Sequence, residues 1–105
     1  MYRLATGLGL LALAATPARA VDLPNDTVDR AVVCSVYGGF APGDADSIAA
    51  KEVIDDTVQN ALDEGVLTAA EMRARVNETT QSALYDEPRA ELMANWDECR
   101  ATFAP

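Results

Sequence analysis

The stretch DEPRAELMANWDECRATF, residues 86–103, carries the reading of the fold. Asp86 and Glu87 lead into Pro88, which opens a helix at no cost because first-turn amides have no intrahelical acceptor. Leu92, Trp96, Cys99 and Phe103 then recur at spacings of four, three and four, with Met93 beside them. That is one face of a 3.6-residue repeat, so the stretch predicts an amphipathic helix over about 87–103 with a cysteine on its inward seam. A second cysteine, Cys34, lies in an apolar stretch near the other end of the chain.

Working outward, three more helices are expected. The first covers about 26–38. Asn25 and Asp26 are good N-caps, and acidic Asp29 suits the positive end of the helix dipole. Val28, Ala31, Val32, Ser35 and Val36 follow the helical spacing, and Val33, Cys34 and Tyr37 widen the stripe. Gly38-Gly39 stops it, and Pro42-Gly43 marks a loop. The second, 46–64, starts near Asp46 or Ser47. It puts Ala50, Val53, Ile54, Val58, Ala61 and Leu62 on one face, and Glu52, Asp55 and Asp56 on the other. Gly65 stands where a helix-terminating glycine belongs.

The third helix, 68–85, begins with Thr68-Ala69-Ala70-Glu71, a capping box, with Leu67 and Met72 placed for a hydrophobic staple. Its apolar face (Ala69, Met72, Val76, Thr79, Ala83, Leu84) is thin, and residues 77–82 are polar, so it should be the least stable helix. No segment alternates with period two. The fold class expected is all-α: a small four-helix bundle-like domain stapled by one disulfide, Cys34–Cys99, linking the first and last helices.

Residues 1–20 read as a cleaved secretory signal. Met1-Tyr2-Arg3 supplies one positive charge, and LATGLGLLALAA, residues 4–15, is uncharged and too short to cross a bilayer. Pro17 and the small residues Ala18 and Ala20 then set a peptidase site before Val21. The working domain is therefore 21–105, with no stable membrane insertion after cleavage. A signal this short and alanine-rich is of bacterial type, which places the product in the periplasm or outside the cell. There the two cysteines oxidise, and closing so long a loop contributes roughly 4 kcal/mol in the chain-entropy account. Asn77-Glu78-Thr79 matches a glycosylation sequon but carries little weight in a bacterial helix.

Charge bounds the partners. The chain has 17 acidic and 8 basic residues; Arg3 and Arg19 leave with the signal, so 17 acids face 6 bases at a net −11. Such a surface repels nucleic acid and anionic lipid and suits a basic protein in the cell envelope.

Chemistry is bounded by what is missing. There is no histidine, which removes Ser-His-Asp and Cys-His catalysis, imidazole metal sites and histidine-ligated haem. Oxidised cysteines remove thiolate nucleophiles and thiolate zinc. Glu52, Asp55 and Asp56 share a face, but it lies opposite the apolar stripe. Asp44-Ala45-Asp46 begins like a calcium loop, yet Ile48 and Ala49 stand where a ligand and a glycine belong. A weak cation site around Asp44, Asp46, Asp55 or Asp56 is the most that pattern supports. No catalytic, cofactor-binding or metal residue is assigned, and no cofactor is expected. Tyr37, Gly38, Gly39 and Phe40 form the candidate interaction surface, since glycine lets a partner approach the backbone.

In general plan (exported, helical, one long-range disulfide) the chain is similar to small periplasmic acid-stress chaperones and to some immunity proteins. The likeness covers architecture and transfers no residue role. The expected function is a non-catalytic interaction module: an inhibitor, immunity protein or accessory subunit. The alternative is an acid-stress chaperone, because carboxylates as a class titrate near pH 4 and no histidine intervenes. N-terminal sequencing of the secreted product should return Val21 as the first residue; a chain beginning at Met1 would sink the export reading.

Overall fold

A computed structural model of the chain describes residues 23–105. The expected signal segment and its cut site lie outside the described residues. Four α-helices and one short 3₁₀ turn follow in order: α1 Thr27–Tyr37, the turn Gly38–Phe40, α2 Ala45–Asp63, α3 Ala69–Tyr85 and α4 Arg89–Thr102. Among the described residues there is no strand, and the all-α class holds. No helix among them is long and apolar enough to cross a membrane.

Helix α1 is the axle of the structure. Asp26 caps it, its carboxylate accepting from the Asp29 amide at 2.9 Å. Ala31, Val32, Val33 and Cys34 are all buried, as is Tyr37. Four consecutive buried residues cover every side of a helix, so α1 must be surrounded. It packs against α2, α3 and α4 in turn, and α2 also meets α4. Helix α3 rests mainly on α1.

The Cys34–Cys99 disulfide joins α1 to α4, as the sequence led us to expect. Both cysteines are fully buried, in one core with Leu23, Tyr37, Ile54, Trp96 and Phe103. Arg30 adds a polar tie near the same end of α1, donating to the Pro24 carbonyl at 2.7 Å and to Thr102 Oγ1 at 3.0 Å.

Helix ends depart from expectation where side chains have other work. Helix α1 stops at Tyr37 and not at 38, because Gly38 keeps a right-handed helical backbone and the chain tightens into a 3₁₀ turn. Helix α2 starts at Ala45, capped by Asp44, whose carboxylate accepts from the Ser47 amide at 3.2 Å. Hydrogen bonding to Ser47 holds that carboxyl below its ordinary range. Ser47, expected at the cap, is buried instead, and its hydroxyl accepts from Trp96 Nε1 at 2.9 Å.

At the other end of α2, Gly65 takes φ +74, with Val66 N bonded to Ala61 O and Gly65 N to Leu62 O. These are the paired bonds of a Schellman stop. The capping box of α3 is present: Thr68 Oγ1 accepts from Glu71 N at 3.1 Å, and Glu71 Oε1 accepts from Thr68 N at 2.9 Å. Those bonds hold the Glu71 carboxyl below its ordinary range.

Of the apolar face expected on α3, only Thr79 and Ala83 are buried. Ala69 is exposed, and Leu84, 57% exposed, points away from the core with Tyr85 beside it. Helix α4 starts at Arg89, later than the expected 87, with Pro88 as its extended N-cap residue at ψ 160. The delay has a cause in Glu87, whose carboxylate serves other helices.

Trp96 is 1% exposed, and Ser47 is the acceptor of its indole N–H. Ser47→Ala would leave that donor buried without this partner. The expected loss is about 1–3 kcal/mol, read from denaturant unfolding followed by tryptophan fluorescence.

Candidate functional site

The corner expected to face a partner faces inward for the most part. Tyr37 and Gly38 are buried, and Phe40 packs against the core; Gly39 alone of the four is exposed. The absent side chain at Gly38 is used internally. A Cβ there would come within 3.2 Å of Lys51 Cδ and 3.6 Å of Trp96. The Lys51 stem therefore lies along the backbone of the turn, in the way long cationic side chains cover apolar surface.

What Tyr37 does is bind a carboxylate. Its hydroxyl donates to Glu87, 3.0 Å from either oxygen. Ser82 Oγ reaches the same carboxylate at 2.6 Å and Asn95 Nδ2 at 2.8 Å. One acidic side chain thus gathers donors from α1, α3 and α4. Charged acceptors make the stronger hydrogen bonds, and three donors satisfy most of what a carboxylate can accept. Burial first, and then the Glu87 bond, push the Tyr37 phenol well above its ordinary value of 10.0. Ser82 and Asn95 lie five and eight residues from Glu87, but Tyr37 is 50 residues away, and nothing in the spacing of Glu87 marks that partner.

A recess of about 670 Å³ runs between α1 and α3. Its apolar lining is Val28 and Val32 from α1, Leu67 and Val66 from the preceding loop, and Ala74 from α3. Four carboxylates line it, Asp26, Asp29, Glu71 and Glu78, against one guanidinium, Arg75. Arg75 crosses the seam to ion-pair with Asp29 and lies 3.5 Å from Glu78 on its own helix. A second recess of about 290 Å³ continues the seam past Pro24 and Thr79 to Ser82 and Glu87, and Arg75 and Glu78 line both.

The sequence held half of this signal. Asp26 and Asp29 are three apart, and Glu71, Arg75 and Glu78 are spaced four and three, so each set lies on one helical face. Only packing turns the two faces toward one another.

The cation candidates do not converge. Asp44, Asp46, Asp55 and Asp56 are all exposed, and among the described residues no three acid, cysteine or histidine side chains gather in a metal-holding group. No family model, curated protein or solved structure matches this chain. The functional reading rests on the groove's own chemistry.

The Tyr37 shift has a consequence for stability. A phenol whose folded pKa is raised above the unfolded 10.0 favours the fold fully below pH 10. That contribution declines as pH rises beyond 10, because the unfolded chain releases the proton first. Unfolding measured from pH 8 to 12 should show stability falling above pH 10, and Tyr37→Phe should flatten that part of the decline.

Proposed function

We propose that the protein is an exported, non-catalytic interaction module, acting as an inhibitor, immunity protein or accessory subunit for a basic protein of the cell envelope. The α1–α3 groove is the observation that carries this reading. Apolar lining supplies area to bury, and four carboxylates against one guanidinium favour a basic partner. Three chemically reactive side chains have structural work. Cys34 and Cys99 bond one another, and the Glu87 carboxylate accepts from Tyr37, Ser82 and Asn95.

A second reading, an acid-stress chaperone, has its own support in the way α3 is held. The ties Arg75–Asp29 and Ser82–Glu87 both end on a carboxylate. Protonation removes the charge that strengthens each. Helix α3 buries only Thr79 and Ala83, so little apolar area would keep it docked. Its release would bare Val28, Val32 and Val33 of α1, while the disulfide kept α1 on α4.

One experiment separates the readings. The tagged protein is captured from its host envelope at neutral pH and after acidification, with a salt series on each. The interaction-module reading expects one stoichiometric basic partner at neutral pH, lost as salt rises. Many clients retained only in acid would favour the chaperone, and capture indifferent to salt would remove the electrostatic argument.

A further inference from the structure

We infer that the α1–α3 groove takes an arginine-bearing segment of the partner, whose guanidinium replaces Arg75 on Asp29. This rests on the reading of the protein as a module for a basic partner, and it names how that partner is held. Arg75 is the one base lining a recess with four carboxylates, and it stands where the two recesses of the seam meet. Its own helix supplies it, so the groove is already bridged by the kind of group its charge selects for.

The bridge is open to exchange. The Arg75 side chain is 39% exposed and that of Asp29 32%, so solvent reaches both. A part-buried pair open to water on one side contributes a modest net energy, so an equivalent incoming pair can replace it while Ser82–Glu87 still ties α3. An incoming guanidinium meets Asp29 with the fork geometry that a carboxylate matches, which an ammonium lacks. It also meets Asp26 and Glu71, whose capping bonds leave lone pairs to accept more. An apolar neighbour on the same segment covers Val66, which is 65% exposed at the groove wall. The occupant is therefore a segment with arginine beside an apolar side chain.

The test is calorimetric titration of the purified protein with a short capped peptide carrying a leucine between two arginines. A matching peptide has citrulline, the neutral isostere, in place of arginine. Arg75→Gln should bind the arginine peptide about three- to fivefold more tightly than the parent, because no internal guanidinium competes. Arg75→Lys, which keeps the charge but not the fork, should fall between the parent and Arg75→Gln and separates lost competition from altered packing. Asp29→Asn should weaken binding, and added to Arg75→Gln it should erase the gain. Circular dichroism checks the fold of each variant. Peptide that binds parent and Arg75→Gln equally would overturn the exchange while leaving the basic-partner reading intact. Citrulline peptide binding as well as arginine, or no binding by any form, would overturn the groove as the arginine site, and the envelope capture then judges the partner reading separately.

Discussion

The bond between Cys34 and Cys99 is the constraint on which the remaining packing depends. It joins residues 65 apart in sequence and lies at the fully buried centre of the core. A domain this small buries too little apolar surface to be robust on that alone. Cross-linking the helix at the middle of the fold to the helix at the end of the chain removes unfolded conformations that involve nearly every segment between. Once α1 and α4 are held together, Tyr37 and Trp96 are fixed beside them, and α2 has a surface to close against.

Helix α2 and helix α3 are held to that pair by different means. Helix α2 buries Ala50, Ile54 and Ala61, and its Ser47 receives the Trp96 indole in the dry interior. Helix α3 buries less and is tied by polar contacts at its edge: Arg75 to Asp29 and Ser82 to Glu87. This asymmetry leaves the α1–α3 seam open and acidic. The proposed binding surface lies where two helices fail to fill the space between them, along the α1–α3 seam.

The helices were legible because their signals are local. Asp26, the Thr68–Glu71 box and Gly65 act through bonds to residues a few positions away, and apolar spacing marks an inward face whatever it packs against. The same locality explains the errors. Ser47 and Glu87 looked like helix-start residues by type, but each has its partner on a distant element, and that partner prevailed. The glycine corner looked accessible because glycine permits approach; the approach is made by Lys51 and Trp96 of the same chain.

The class of fold, the number and approximate extent of the helices, the pairing of the only two cysteines and the sign of the net charge were all legible in the residues. Each follows from short-range periodicity, capping or plain counting. The tertiary structure alone decided that α1 is central, that Glu87 collects Tyr37, Ser82 and Asn95, and that Asp26 and Asp29 face Glu71, Arg75 and Glu78 across a groove. Those facts depend on which helix faces meet. A helical repeat says that a face is buried or wet, and it carries no information about the identity of its neighbour.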